Sequence, residues 1–261
     1  MSENSNKRCL IFAHRGASTE AFENTKSAFD QALTYPIDGM ETDVQLSRDG
    51  IAVLWHDSFL DKVGLPGKRI GDLDFKELQA LDFSTLVPPV AENEGLMTLQ
   101  AFIASYHKRC RLLLELKIER GHSDAEPQEA LVRTCCDMVK RIGGPPPHAA
   151  VMLNSFDLDS LIRARRCCPS LPLILNLESV QGLPLIQRIL QENAFLSGLC
   201  LPIADIDDAF VGAIRRFGKT VATYTCNSEA EINKALMLAV DILITDFPPK
   251  ALTLRSAVEA Q

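Results

Sequence analysis

Short apolar segments alternate along most of the chain with longer segments in which apolar positions recur every three to four residues. The short segments are typical of buried parallel strands, and the longer ones of amphipathic helices that pack on them. The pattern predicts eight strands, at residues 9–13, 39–46, 111–118, 150–155, 171–177, 198–201, 220–225 and 242–245. It predicts helices between them, including residues 24–35, 126–141, 157–166, 183–192, 207–217 and 228–238.

Eight strands that alternate with helices fit a (β/α)₈ TIM-type barrel better than an open, doubly wound sheet. A barrel of this kind takes about 250 residues, and the chain has 261. The Gly-x-Gly-x-x-Gly motif that would indicate dinucleotide binding does not follow the first strand. We therefore predict a single barrel domain over residues 9–250, with a disordered tail at 1–8 and a tail or helix at 251–261.

One segment departs from the alternation of strands and helices. Asp49-Gly50 separates two β-rich runs, which is a strong signal for a β-hairpin. A two-residue turn at this point would pair Asp43 with His56 on one face and point Asp57 to the other face. Residues 58–97 then have weak periodicity and many Gly, Pro and Asp residues. They predict a small insertion after the early hairpin that covers the barrel mouth.

Composition narrows the possible partners and the cellular compartment. A net charge of -7 argues against non-specific binding of nucleic acid, which requires clustered Lys and Arg. The chain has no apolar run near the roughly 18 residues of a membrane-spanning helix, and its polar start lacks the features of a signal peptide. Eight cysteines without a Cys-x-x-Cys motif predict buried, reduced thiols. We expect a soluble cytoplasmic protein without a stable membrane anchor; composition leaves the oligomeric state open.

Charged and imidazole side chains follow several of the predicted strands. They are His14, Arg15, Glu41, Asp43, His56, Glu115 and Lys117. In a barrel the carboxyl ends of the strands carry the active site, so these side chains are expected to converge. Three carboxylates suit Mg²⁺ or Ca²⁺, an arginine and a lysine suit phosphate oxygens, and two imidazoles suit proton transfer near neutral pH. The combination predicts metal-assisted cleavage of a phosphodiester.

An ordered set of short motifs carries a family resemblance. The motifs are His14-Arg15-Gly16, Glu23-Asn24-Thr25, Glu41-Thr42-Asp43, Asp49-Gly50, His56-Asp57, Glu115-Leu116-Lys117, Ser155-Phe156 and Thr245-Asp246-Phe247-Pro248. Together they resemble the glycerophosphodiester phosphodiesterase family over nearly the whole chain. The resemblance implies a barrel with a small insertion, and hydrolysis of small-molecule glycerophosphodiesters to sn-glycerol 3-phosphate and an alcohol such as choline or ethanolamine. It also implies a place in lipid and glycerol metabolism.

The resemblance also implies roles for individual residues. By matching position, Glu41, Asp43 and Glu115 would hold a divalent cation, His14 and His56 would transfer protons, and Arg15 and Lys117 would bind phosphate. Which histidine acts first is left open, as is the choice between a cyclic phosphate intermediate and direct attack by water.

Four further residues have weaker assignments. Ser155, Phe156 and Tyr224 are assigned to substrate binding. Ser155 and Phe156 either line the substrate pocket or pack at a strand end, and Tyr224 is expected to form a pocket wall. Asp246 is predicted to be a turn or cap residue rather than a ligand. Two other functions remain open at this point. One is a lysophospholipase D that acts on lysophospholipids, and the other is a phosphate-ester binding protein without turnover.

Overall fold

The structure is a computed structural model that describes residues 8–83, 86, 94–118, 125–142, 151–179 and 182–260. Of the tail expected at residues 1–8, only Arg8 lies within this range. Part of the insertion expected at residues 58–97 also falls outside the described residues.

The described residues contain nine β-strands, namely β1 (Leu10–His14), β2 (Gly39–Leu46), β3 (Ala52–Leu54), β4 (Arg111–Leu116), β5 (Val151–Ser155), β6 (Leu173–Asn176), β7 (Gly198–Pro202), β8 (Thr220–Tyr224) and β9 (Ile242–Thr245). All except β3 are parallel to their neighbours, in the order β1, β2, β4, β5, β6, β7, β8, β9. The first strand pairs with both β2 and β9 and thereby closes the barrel. The (β/α)₈ prediction is therefore confirmed.

The described part of the chain has nine α-helices: α1 (Lys26–Ala32), α2 (Phe75–Gln79), α3 (Leu99–Tyr106), α4 (Ala125–Arg141), α5 (Leu158–Cys167), α6 (Leu183–Glu192), α7 (Asp208–Arg216), α8 (Glu229–Met237) and α9 (Pro248–Glu259). The helix predicted at residues 24–35 is shorter than expected at both ends: it begins after Thr25, which caps it and accepts a hydrogen bond from Ala28 N, and it ends at Ala32. None of these helices has the length and apolar character needed to cross a bilayer.

The barrel interior consists of an apolar layer beneath a polar layer. The apolar layer is a cluster of buried side chains from the strands: Phe12, Leu113, Met152, Ile174, Cys200, Ala222, Ile242 and Ile244. At Gly39 a Cβ atom would lie 2.5 Å from the Phe12 ring, so only glycine leaves room for that ring. Side chains two residues apart on a strand share a face. The polar layer therefore begins with His14, Glu115 and Asn154, which follow apolar-layer residues at this spacing.

The β2–β3 hairpin has a different register from the one predicted. Val44 pairs with Leu54, so the position opposite Asp43 belongs to Trp55. The Trp55 backbone N–H accordingly donates a hydrogen bond to the Asp43 carbonyl oxygen at 3.2 Å. The predicted pairing of Asp43 with His56 is therefore wrong by one residue.

The length of the hairpin loop explains this shift. Ser47 N donates to Ile51 O at 2.9 Å, so the loop contains three residues instead of two. Gly50 ends the loop with φ +83°, the left-handed conformation of a three-residue hairpin with a bulge. The Ser47 hydroxyl also accepts a hydrogen bond from Ile51 N at 2.9 Å, which stabilises this turn over the two-residue alternative.

Residues of the insertion pack a second, smaller core against the hairpin. The buried members of this core are Phe22, Val53, Trp55, Leu60, Val63, Ile70, Leu78, Phe83 and Leu86. The Trp55 ring lies at its centre, with ring centroids 6.3 Å from Phe22 and 6.3 Å from Phe83. Ser58, Phe59 and Arg69, also from this region, line a cavity of about 370 Å³ at the barrel mouth. The described part of the insertion thus forms one wall of that mouth.

The last helix, α9, begins at Pro248, before the expected boundary at residue 251, and is attached to the bottom of the barrel. Arg255 of this helix is only 2% exposed and forms an ion pair with Asp38. Its guanidinium also donates to the Cys9 carbonyl oxygen at 2.9 Å, while Asp38 accepts a hydrogen bond from Ile11 N at 2.9 Å. This buried contact connects the last helix to the first strand.

The eight cysteines are free thiols, and seven of them are buried. Burial raises the pKa of Cys110 to about 12 and that of Cys226 to about 12. The predicted buried thiols are therefore core residues in their protonated form.

Candidate active site

Three carboxylates from adjacent strands converge in the polar layer of the barrel. Glu41 and Asp43 lie two residues apart on β2, so both point into the interior. Glu115 on β4 is the register partner of Asp43. Each carboxylate offers an oxygen that lies within 4.8 Å of the other two, and none is more than 9% exposed. The sequence prediction that these three residues meet is therefore confirmed.

The electrostatics of this group follow from burial and mutual repulsion. Burial raises the pKa of Glu41 well above its usual range, and the charges of Asp43 and Glu115 raise it further. Burial and Asp43 likewise raise the pKa of Glu115. Burial would also raise the pKa of Asp43, but the positive charges of Arg15 and Lys117 outweigh it and hold that pKa well below its usual range. The group therefore favours an additional positive charge.

Two buried oxygens of the group, Glu41 Oε2 and Asp43 Oδ1, have no hydrogen-bond donor among the described residues. The nearest cation to Asp43 Oδ1 is Lys117 Nζ, at 3.4 Å. A buried carboxylate oxygen without a partner is costly, and a divalent cation would remove that cost. Oxygen ligands without a thiolate suit Mg²⁺ or Ca²⁺. These residues therefore fit the predicted divalent cation.

Two cations lie beside the carboxylates. Arg15 Nε is 3.0 Å from Asp43 Oδ2, and its terminal nitrogen donates to Glu23 Oε2 at 2.6 Å. Lys117 Nζ is 2.9 Å from Glu115 Oε1. Burial alone would lower the pKa of Lys117, but Asp43 and Glu115 raise it above its usual range, so the ammonium stays charged. Arg15 and Lys117 thus hold positive charge beside the three carboxylates.

The turn after β1 requires glycine at position 16. Arg15 has φ +59° and Gly16 has φ +85°, two consecutive residues in the left-handed region. A Cβ atom on Gly16 would lie 2.6 Å from the backbone of Ala28, so a side chain cannot be accommodated. The next residue, Ala17, donates its N–H to Ala28 O at 2.9 Å. This tight turn bends the chain away from the strand at Arg15 and brings its guanidinium to the carboxylates.

His14 is oriented by an aspartate from the opposite end of the chain. Its Nδ1 lies 2.5 Å from Asp246 Oδ1, and its Nε2 lies 3.9 Å from Glu41 Oε2. Asp246 is itself held by Asn227, whose side-chain amide donates to Oδ2 at 2.6 Å, and by Ser18, whose hydroxyl donates to Oδ1 at 3.3 Å. Asp246 lies in the bend between β9 and α9, in line with its prediction as a turn or cap residue rather than a ligand, and its carboxylate also contacts the imidazole of His14, a contact that the prediction did not include.

His56 is oriented by its neighbour in the chain. Nδ1 of His56 lies 2.8 Å from Asp57 Oδ1, so Asp57 does not face away from the site as the predicted hairpin register required. The reason is that β3 ends at Leu54, so strict alternation no longer applies to these two residues. Gln45 fixes the segment by donating to the carbonyl oxygens of Trp55 and Asp57, each at 2.9 Å.

Three asparagines support the carboxylates, and the sequence reasoning did not identify them. Asn24, with φ +60°, donates to Asp43 Oδ2 at 3.0 Å. Asn176 donates to Glu115 Oε2 at 3.3 Å and accepts a hydrogen bond from Asn154 at 3.3 Å. Asn154 and Asn176 are polar positions inside otherwise apolar strands, which is the signal that could have identified them. Asn24 falls at the start of the helix predicted at residues 24–35, but the helix begins after Thr25, so Asn24 lies in the preceding turn.

A cavity of about 370 Å³ opens beside the site, and its lining includes His56, Glu115, Lys117, Ser155 and Phe156. The Ser155 hydroxyl donates to the Leu116 carbonyl oxygen at 3.0 Å and accepts from Asp157 N at 3.1 Å, so it also fixes the start of α5.

Tyr224 does not line this cavity. Its ring packs edge-on against Phe156 with a centroid distance of 5.9 Å, and its hydroxyl donates to Leu177 O at 2.7 Å. Tyr224 therefore lies behind Phe156 and supports that wall of the cavity.

A sequence model of the glycerophosphoryl diester phosphodiesterase family matches residues 14–250, which include every residue of this site. The chain belongs to that family. YhdW of Bacillus subtilis is 29% identical over 238 residues, with 91% of this chain and 94% of YhdW covered. The glycerophosphodiester phosphodiesterase of Bacillus subtilis is 26% identical over 250 residues, with coverages of 92% and 84%.

A phosphodiesterase of Oleispira antarctica has been solved in complex with its product, sn-glycerol 3-phosphate. Its structure superposes on this chain with a TM-score of 0.79 and 27% identity, covering 94% of this chain and 96% of its own. The family resemblance expected from the ordered motifs is therefore confirmed.

Within this member of the glycerophosphoryl diester phosphodiesterase family, four predicted residues lie around the three carboxylates Glu41, Asp43 and Glu115. They are His14, Arg15, His56 and Lys117. Ser155 and Phe156 line the adjoining cavity together with His56, Glu115 and Lys117. The functional roles of all these residues stay predictions.

Proposed function

We propose that this protein hydrolyses glycerophosphodiesters to sn-glycerol 3-phosphate and an alcohol, with a divalent cation, Mg²⁺ or Ca²⁺, at the three carboxylates. The observation that carries the proposal is a buried carboxylate group beside two histidines, each with its Nδ1 against an aspartate. The product bound to the similar Oleispira antarctica phosphodiesterase supports this choice of substrate.

In this proposal Glu41, Asp43 and Glu115 would hold the cation. When bound, such an ion stabilises the negative charge that grows on the phosphate oxygens during the reaction. The asparagines contacting Asp43 and Glu115 keep these carboxylates in position, since a ligand with a fixed orientation binds a metal more tightly.

The aspartates determine which nitrogen of each histidine reacts. A carboxylate only accepts hydrogen bonds, so Nδ1 carries the proton that faces Asp246 or Asp57. Nε2 of each ring is then left for proton transfer. One Nε2 takes the proton of the attacking hydroxyl, and the other gives a proton to the oxygen of the leaving alcohol, as one P–O bond forms and another breaks. Burial lowers the pKa of His56 and so favours the neutral ring, the form that accepts a proton.

Arg15 and Lys117 supply the charge that attracts the phosphate. The chain carries a net charge of -7, so an anionic diester needs local cations to bind. Both side chains are held by carboxylates before substrate arrives, and a fixed cation stabilises a transition state better than a mobile one. The planar guanidinium of Arg15 also suits two-point contact with a phosphate.

The proposal is tested by supplying purified protein with glycerophosphocholine, glycerophosphoethanolamine or glycerophosphoglycerol and Mg²⁺ or Ca²⁺. Phosphorus NMR should show sn-glycerol 3-phosphate as the phosphorus-containing end product. Failure to convert any of the three diesters with either ion would contradict the proposal. Glycerol together with a phosphorylated alcohol would show that the other ester bond is cleaved.

A second cavity favours lysophospholipase D activity as the alternative. It measures about 310 Å³ and adjoins the first. The two share Gln45, Arg69, Lys117 and Ile118, and the second is also lined by Leu46, Pro127 and Leu131. Its apolar wall suits part of an acyl chain.

Hydrolysis of lysophosphatidylcholine, compared with glycerophosphocholine, separates the two activities. Gly71 lines the second cavity, and a Cβ atom there would meet only the Leu46 carbonyl oxygen, at 3.6 Å. The substitution Gly71→Leu should therefore narrow this cavity without disturbing the backbone. It should slow hydrolysis of the lysophospholipid alone if the acyl chain lies there.

A further inference from the structure

We propose that Lys62 is a positioning residue of the active site, which holds His56 through Asp57 and Arg15 through Glu23. The inference rests on the function proposed above, in which His56 transfers a proton and Arg15 binds phosphate. The new element is that Lys62, which lies outside the barrel strands, holds both His56 and Arg15 in position.

The contacts form an uninterrupted chain of charged groups. Lys62 Nζ lies 2.8 Å from Asp57 Oδ2 and 3.0 Å from Glu23 Oε1. The second oxygen of each carboxylate faces the active site. Asp57 Oδ1 contacts His56 Nδ1 at 2.8 Å, and Glu23 Oε2 accepts from Arg15 at 2.6 Å. Each carboxylate therefore uses one oxygen for a functional residue and the other for the lysine.

The backbone around Lys62 is well anchored, so the ammonium has a defined origin. Lys62 lies in a short 3₁₀ helix, Asp61–Val63, whose flanking Leu60 and final Val63 belong to the second core. Leu60 N donates to the Lys68 carbonyl oxygen at 2.8 Å, and the Asp61 carboxylate accepts from a backbone N–H at 2.9 Å. The lysine thus connects the insertion to residues that follow β1 and β3.

Glu23, His56 and Asp57 form a second set of potential metal ligands, but the carboxylates of this set already have a cation beside them. Glu23, His56 and Asp57 offer ligand atoms within 4.8 Å of one another, as the three barrel carboxylates do. Glu41 Oε2 and Asp43 Oδ1 of the barrel carboxylates are buried without a hydrogen-bond donor among the described residues, whereas Glu23 and Asp57 are half-exposed and each contact the ammonium of Lys62. The positive charge at this position is therefore supplied by the chain itself.

A purely structural role would have a different signature. The Lys62 side chain is 43% exposed, and ion pairs of that exposure contribute little to folding stability. Its loss should therefore leave the melting temperature nearly unchanged. If the lysine positions His56 and Arg15, its loss should change the kinetic constants of a protein that is still folded.

The test compares Lys62→Met, which keeps the chain length but removes the charge, with Lys62→Arg, which keeps the charge. Displacement of catalytic groups by about 1 Å can cost up to roughly 100-fold in rate, and we expect Lys62→Met to lower kcat by about tenfold and to raise KM. Lys62→Arg should recover most of the activity. Lys68→Met is the matched control, because Lys68 lies in the same exposed segment and should keep wild-type kinetics.

Variants of the two carboxylates distinguish the effect of Lys62 on His56, through Asp57, from its effect on Arg15, through Glu23. Asp57→Asn should mainly lower kcat, since it acts on the proton-transferring His56, whereas Glu23→Gln should mainly raise KM, since it acts on the phosphate-binding Arg15. When both changes are present, adding Lys62→Met should have little further effect, because groups that act through one another are not additive.

Wild-type kinetics for Lys62→Met would overturn the inference. So would a loss of activity that Lys62→Arg does not recover, or a full additional loss in the Glu23→Gln, Asp57→Asn background. These outcomes are distinct from failure of the proposed function. In that case the wild-type protein would release no sn-glycerol 3-phosphate, or His56→Asn would keep the wild-type rate.

Discussion

Nδ1 of His14 lies 2.5 Å from Oδ1 of Asp246, although 232 positions separate the two residues in the chain. The contact exists because the barrel closes between β1 and β9, which places the residues that follow these strands side by side. In the proposed mechanism it fixes the tautomer of His14 and directs Nε2 toward the carboxylates.

Asp246→Asn should therefore lower kcat with little change in KM. An asparagine can present its amide hydrogens to Nδ1 and so favour the wrong tautomer, and we expect a loss of roughly 100-fold, within the range of general acid–base contributions. Steady-state kinetics of sn-glycerol 3-phosphate release would measure it. Asp208→Asn, an exposed substitution on α7, serves as the control. A wild-type kcat for Asp246→Asn would remove this aspartate from the mechanism.

Loss of one barrel carboxylate should weaken metal binding. We expect Glu41→Gln to reduce the affinity for Mg²⁺ or Ca²⁺ by at least about 100-fold, and Asn24→Ala, which removes a hydrogen bond to Asp43, by roughly tenfold. Isothermal titration calorimetry measures both directly and without substrate. Glu229→Gln on the surface should bind as the wild type does. Equal affinities for Glu41→Gln and the wild type would contradict the assigned metal site.

Metal affinity should also fall as the pH is lowered. The fall should begin at a higher pH than it would if the ligands had the pKa values of ordinary carboxylates. A carboxylate must be deprotonated to bind metal, and burial together with Asp43 and Glu115 raises the pKa of Glu41 well above its usual range. As the pH falls through that raised pKa, protons compete with the metal at Glu41. Titrations over a pH series should show this loss in the wild type. The same pH dependence in Glu41→Gln would show that another group is responsible.

Arg255→Met should destabilise the fold without changing the candidate active site. The substitution leaves Asp38 without its buried partner and Cys9 O without a donor, and breaking a buried ion pair costs about 3–5 kcal/mol. Urea denaturation would measure the free energy of unfolding. Arg133→Met breaks an exposed pair with Glu129 and should cost less than about 1 kcal/mol. Similar losses for the two variants would argue against a stabilising role for the contact between α9 and β1.

Most of the barrel was predictable because its strands are buried on both faces and read as short apolar runs. The predicted strand at residues 39–46 matches β2, and the predicted helix at 183–192 matches α6. The hairpin register was not predictable from Asp49-Gly50 alone. Loops of two and three residues both favour glycine, and the Ser47 side chain stabilises the longer one.

The site residues that could be predicted are those whose side-chain type itself indicates a function. Carboxylates at strand ends suggest a metal, and histidines suggest proton transfer, so Glu41 and His14 were recognisable. The supporting contacts of Asp246 and Asn24 depend on barrel closure and on a left-handed turn, which join residues far apart in the sequence. The pattern of apolar residues in a single sequence reports local periodicity, and it does not show which distant residues are in contact.

The most direct test of the central claim measures sn-glycerol 3-phosphate release from glycerophosphocholine by protein treated with a chelator and then supplied with Mg²⁺ or Ca²⁺. The account predicts loss of activity on chelation and recovery with one of the ions. It also predicts that His14→Ala and His56→Ala, with metal supplied, each lose about 10²–10⁴-fold in kcat. Full activity in the presence of chelator, or an unchanged rate in either histidine variant, would contradict it.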